Sequence, residues 1–137
     1  MEQDLSAFVA DRKLIQALEK RSQAVSCGED RVLFSQGEAP TGLYILRSGE
    51  AALIMRSEYG EVVMCLRVAA GSLLGLPGII ANEPYTLTAM ARKGSEVKFV
   101  TRSDFEDLIR DEPSLSLKVL QVLAAEVRSA RLALSAV

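Results

Sequence analysis

Histidine is absent from the 137-residue sequence. Without an imidazole there is no Ser–His or Cys–His nucleophile pair and no His-ligated metal centre, which removes most of the usual catalytic repertoire. Lysine and carboxylate chemistry stay open. Cysteine occurs twice, as Cys27 and Cys65, too few for a four-thiolate iron–sulfur cluster or a Cys-only zinc site. The two are expected as reduced thiols near the core. Nor is there an excess of positive charge. Sixteen Lys and Arg against 18 Asp and Glu leave a net charge of −2, without the bulk field that non-specific nucleic-acid binding needs. Long apolar runs are missing too. The longest uncharged stretch, residues 68–82, holds three glycines and Pro77 and is too short to span a bilayer. The opening residues are acidic, so no secretory signal and a cytoplasmic location are expected.

What is present is the balance of a globular protein, with 49% hydrophobic and 25% charged residues, long enough for one domain over residues 1–137 with a sizeable core. Residues 1–24 carry helical spacing, with Leu5, Phe8 and Val9 as one apolar patch and Leu14, Ile15 and Leu18 as another. Over residues 25–102 short apolar runs alternate with glycine-containing turns. Residues 32–34, 43–46, 51–55, 62–68, 86–91 and 97–100 read as strands, and Glu58-Tyr59-Gly60 as a hairpin turn. This rhythm predicts a mainly β fold with flanking helices, a sandwich or jelly-roll barrel. Helical spacing returns over residues 103–137. Ser103-Asp104-Phe105-Glu106 fits a capping box, the helix should stop near Arg110, and Pro113 suits the first turn of the next.

That last helix carries a heptad seam. Leu120, Leu123, Val127, Ala130, Leu134 and Val137 follow one another at spacings of 3–4–3–4–3. Leu117, Val119, Val122 and Leu132 add apolar surface outside it. A helix so apolar on most sides needs cover on more than one side. One face can pack on the sheet, and a second copy of the chain is the expected cover for the other. A single helix folded back on its own roll is the alternative.

Two segments carry a family resemblance. Gly28-Glu29-Asp30-Arg31-Val32-Leu33-Phe34-Ser35-Gln36-Gly37-Glu38, followed by Gly42-Leu43-Tyr44-Ile45-Leu46-Arg47-Ser48-Gly49-Glu50, resembles the opening of a cyclic-nucleotide-binding domain. The element order, helix then roll then two helices, is also similar to that family, in particular to the sensor half of Crp/Fnr-type bacterial regulators. The resemblance implies an eight-stranded roll and a long last helix that pairs two subunits. Composition alone also allows a cupin, but typical metal cupins use several histidines. No enzyme activity and no cofactor are expected.

The sequence departs from the family where ligand is held. The resemblance implies a phosphate cassette of Gly-Glu-x-Ala and Pro-Arg-(Ser/Thr)-Ala, its glutamate accepting from the ribose and its arginine pairing with the cyclic phosphate. Here the matching residues are Gly75, Leu76, Pro77 and Gly78, then Pro84, Tyr85, Thr86 and Leu87. Leu76 stands for the glutamate and Tyr85 for the arginine. Losing a charge-assisted hydrogen bond of roughly 1.5–3 kcal/mol costs on the order of 10- to 150-fold in affinity. Pro77 further removes a backbone N–H from the turn. The usual pose of cAMP or cGMP is therefore not expected. Gly75, Leu76, Pro77, Gly78, Tyr85 and Thr86 become the candidate site for a different small molecule. Leu73, Leu76, Ile79, Tyr85 and Leu87 would line it, the Tyr85 hydroxyl fixing the ligand's orientation. A roll filled by these same side chains is the other reading, and a regulator half that does bind a cyclic nucleotide is a third.

Expected partners are a second copy of the chain and an unidentified small molecule. In Crp/Fnr regulators a helix-turn-helix follows the long helix. Direct nucleic-acid binding by residues 1–137 is not expected, nor is contact with a membrane.

Overall fold

The computed structural model describes residues 9–135, and the side chains of all of these but 129, 130 and 132–135. Leu5 and Phe8 of the first expected patch, the side chains of Ala130 and Leu134, and Val137 lie outside the described residues. The first helix, α1 (Arg12–Glu19), buries Leu14, Ile15 and Leu18, the second patch read from sequence. Asp11 caps it, accepting from the Lys13 amide at 2.8 Å.

Eight strands follow among the described residues: β1 (Gln23–Val25), β2 (Arg31–Phe34), β3 (Gly42–Ser48), β4 (Ala51–Arg56), β5 (Val62–Val68), β6 (Leu73–Leu74), β7 (Thr88–Ala91) and β8 (Glu96–Thr101). They form two antiparallel sheets, ordered β1-β8-β3-β6 and β2-β7-β4-β5, the expected jelly roll. The β4–β5 hairpin turns where expected, closed by the Ser57 amide donating to the Glu61 carbonyl at 2.8 Å. Two strands escaped the sequence reading. β1 and β6 have three and two residues, too few for a period of two to show. Residues 86 and 87 fall outside β7 because Tyr85 and its neighbours are pulled onto the β2–β3 loop. There Gly37 donates to the Tyr85 carbonyl at 2.8 Å, and Tyr85 donates to that of Glu38 at 3.0 Å.

Sidedness explains the composition of the strands. β5 alternates, with Met64, Leu66 and Val68 buried and Cys65 and Arg67 outside. Cys65 is thus an exposed thiol rather than a core one, while Cys27 is buried, and both are free. β3 instead reads as a continuous apolar run because both its faces are covered. Leu46 and Tyr44 belong to the core between the sheets, whereas Leu43 and Ile45 belong to a second core beneath the helices.

That second core is roofed by α1, by α2 (Leu76–Ala81), by α3 (Arg102–Asp111) and by the start of α4 (Ser116–Ser135). Residues 75–78, expected as a turn, open a short helix, with Pro77 in its first turn where a missing N–H costs nothing. The cap of α3 is also corrected. Thr101, not Ser103, accepts from the Asp104 amide at 3.1 Å, because β8 runs straight into the helix and leaves Ser103 inside its first turn. α3 ends at Asp111, and Pro113–Leu115 forms a 3-10 turn leading into α4. The Lys118–Asp11 ion pair, 3.1 Å, ties α4 to the cap of α1. Among the described residues no helix is long and apolar enough to cross a membrane.

Candidate ligand cavity

The roll is not solid. A cavity of about 260 Å³ lies between the β2-β7-β4-β5 sheet and α4, next to the segment the resemblance marks as the phosphate cassette. Phe34 of β2, Leu53 and Met55 of β4, and Met64 and Leu66 of β5 form its inner walls. These five residues were not singled out in the sequence, although the alternation of β4 and β5 already turns their apolar side chains to one face.

Of the six cassette candidates, Gly75, Pro77, Gly78, Tyr85 and Thr86 line the cavity, and Leu87 lies beside them. Leu76 does not. Fully buried, it packs in the second core together with Leu73 and Ile79. The expected lining by Leu73, Leu76 and Ile79 is corrected for one physical reason. Residue 76 opens α2, whose apolar face must close onto β3 and α3, so the side chains at 76 and 79 point away from the roll interior. Gly75 makes the junction. Its φ is +91°, a conformation that favours glycine, and a Cβ there would crowd Tyr85 at 3.1 Å and Phe34 at 3.2 Å.

Tyr85 also differs from its expected part. Its ring stacks on Phe34 with centroids 4.1 Å apart and forms a cavity wall. Its hydroxyl donates to the Gly42 carbonyl at 2.7 Å and accepts from the Thr41 and Gly42 amides at 3.0 and 3.2 Å. The single donor of a phenol is therefore spent on backbone. The hydroxyl pins the cassette segment to the start of β3.

Besides Thr86, the lining holds a carboxyl side chain from α4. Leu123, Glu126 and Val127 close it on that side. The Glu126 Oε2 is sealed from solvent and has no hydrogen-bond partner. Burial alone pushes its pKa up from 4.5 to about 8, because an apolar surrounding disfavours the charged form. The sequence held a signal for this residue. Leu115, just ahead of α4, and Val119 and Val122 on it form a buried stripe, and the next position at 4–3–4 spacing is Glu126, a carboxylate where an apolar residue belongs. Among the described residues that line the cavity there is no Lys or Arg. None of the described residues forms a group of three or more His, Cys, Asp or Glu placed to share a metal ion.

Residues 24–112 match the sequence model of the family described as the cyclic nucleotide-binding domain. The chain is 29% identical over 116 residues to a CRP-like cAMP-activated global transcriptional regulator of Mycobacterium tuberculosis, covering 83% of this chain and 51% of that protein. It is 25% identical over 117 residues to lysophospholipase NTE1 of Phaeosphaeria nodorum, covering 85% of this chain but 8% of that protein. In fold it is similar to the catabolite activator protein of Thermus thermophilus, with a TM-score of 0.77 at 22% identity over 91% of this chain and 59% of that one. The chain thus spans about half of the bacterial regulator and a small part of the lysophospholipase, and what it shares with both is this one roll with its helices. A match through the middle of the chain, the two-sheet roll and the flanking helices agree: the chain belongs to the cyclic nucleotide-binding domain family.

Proposed function

We propose that this chain is a non-catalytic sensor module whose cavity takes a small molecule other than cAMP or cGMP in their usual pose. One observation carries the reading: the cavity stands open beside the cassette, yet its walls hold a buried carboxylate and, among the described lining residues, no cation. A cyclic phosphate placed there meets no Lys or Arg among the described lining residues to pair with. The volume of the cavity argues against a roll filled by its own side chains. Leu123, Glu126 and Val127 belong both to the wall and to α4, so a ligand that touches them biases the position of that helix. Similarity to a transcriptional regulator over half of its length supports regulation, rather than chemistry, as the output.

The same reading makes the chain a homodimer through α4. Leu117, Leu120 and Val127 are 63%, 59% and 53% exposed, an apolar face that its own roll leaves uncovered. Isothermal titration tests the ligand claim. Neither cAMP nor cGMP is expected to bind more tightly than millimolar, and a micromolar dissociation constant for either overturns it.

A further inference from the structure

Taking the cavity as a ligand site, which rests on the reading above, we infer that its occupant is a planar aromatic molecule carrying a protonated amine, the ring held between the apolar walls and the N–H groups on the Glu126 carboxylate. Three features point there. Apart from Glu126 the inner walls are Phe, Leu and Met, with the Tyr85 ring stacked on Phe34 as one flat side. The Tyr85 hydroxyl has no donor left for a ligand. Glu126 supplies a carboxyl group to the wall at the α4 end of the same space. A carboxylate in the wall of a cavity lined mostly by apolar side chains is complementary to a donor, and most strongly to a cationic one.

The groups around Glu126 make the pH dependence legible. Among the described residues, the elements packed against it, β2, β4, β5, the α2 end and residues 85–87, present one other titratable residue to the cavity, Tyr85, whose hydroxyl is tied to backbone. On α4 itself Lys118 pairs with Asp11, and Arg128 is exposed. With no cation beside it Glu126 is protonated at neutral pH, since burial holds its pKa at about 8. An ammonium group favours the ionised form, so binding releases the proton into solvent below pH 8.

Three matched probes test this on the full chain: tryptamine (cation), 3-methylindole (neutral) and indole-3-propionate (anion). Titration calorimetry at pH 6, 7 and 8 in two buffers should rank tryptamine first and the propionate last. Tryptamine affinity should rise by about tenfold per pH unit below 8 with proton release, while 3-methylindole stays flat. Glu126→Gln should weaken tryptamine by about tenfold or more at pH 8 and spare 3-methylindole. Glu126→Leu should raise the melting temperature, because it removes a buried acceptor that nothing satisfies; a fall shows a structural carboxylate and overturns the assignment. Tryptamine binding no tighter than 3-methylindole, or indifferent to pH and to Glu126→Gln, overturns it too, as does binding by none of the three. Binding of 3-methylindole without tryptamine sinks the Glu126 assignment alone, whereas micromolar cAMP sinks the function proposed above.

Discussion

At Tyr85 a single hydroxyl serves three backbone groups of residues 41 and 42, which makes the phenol a structural pin. Tyr85→Phe keeps the stacked ring and strands buried polar groups, so a loss of about 1–3 kcal/mol is expected in urea unfolding. A loss below about 0.5 kcal/mol would show that the hydroxyl is dispensable. Glu126 is the opposite kind of residue, a group held at a cost to stability. Its folded pKa of about 8 lies above the ordinary 4.5, so between these values the folded state binds the proton more tightly than the unfolded chain. The associated stability is complete below about pH 4.5, falls as pH rises, and is gone above pH 8. The difference amounts to on the order of 4 kcal/mol. Asp11, whose pKa is lowered mainly by its bond to Lys118, acts in the reverse sense and only in acid. Unfolding free energies at pH 5, 7 and 9 should therefore decline for the unmodified protein and decline much less for Glu126→Gln. Equal slopes would mean that the carboxylate is solvated.

The last helix shows how one element serves two surfaces. Leu115, Val119 and Val122 hold it and its leading turn on the roll, while the seam read from sequence, Leu120, Leu123 and Val127, runs along a neighbouring face. Leu123 leans toward the cavity and the second core. Of the described seam residues, Leu120 and Val127 are more than half exposed, so they are the ones to change. Sedimentation at tens of micromolar, a concentration that favours even a weak association, should find a dimer. Leu120→Glu with Val127→Lys should give a monomer with unchanged circular dichroism, because neither side chain belongs to the described core. A monomeric unmodified protein at that concentration contradicts the pairing. The heptad was legible because its period is local to one helix. The cap of α3 was not, because Ser103 and Thr101 are both plausible caps and the choice depends on where β8 stops.

For the molecule as a whole, the sheets divide the interior into two cores of different kind. The one beneath the helices is packed around side chains such as Leu76 that are fully buried, whereas the other borders the cavity under α4. Deletions should report the difference. Leu76→Ala opens a new hole in packed surroundings and should cost about 2–5 kcal/mol, while Leu87→Ala enlarges space already present and should cost roughly half as much or less. Equal losses would place Leu76 at the cavity after all.

What the sequence determined by itself was whatever depends on neighbours along the chain. The hairpin at 58–60, the alternation of β5, the heptad of α4 and the motif order that marks the family all belong here. So does the replacement of a glutamate and an arginine by Leu76 and Tyr85, which removes the charges an anionic ligand needs wherever those side chains point. Only the tertiary structure decided what lies across from them: that Leu76 turns into the helical core, that the Tyr85 hydroxyl is taken by Gly42, that β1 and β6 exist at all, and that Glu126 closes the cavity from a helix some forty residues downstream of the cassette. Periodicity tells which side of an element is apolar, but the partner on that side is chosen by packing between elements distant in sequence. A carboxylate facing solvent and one facing a void look the same until the sheet beneath is in place.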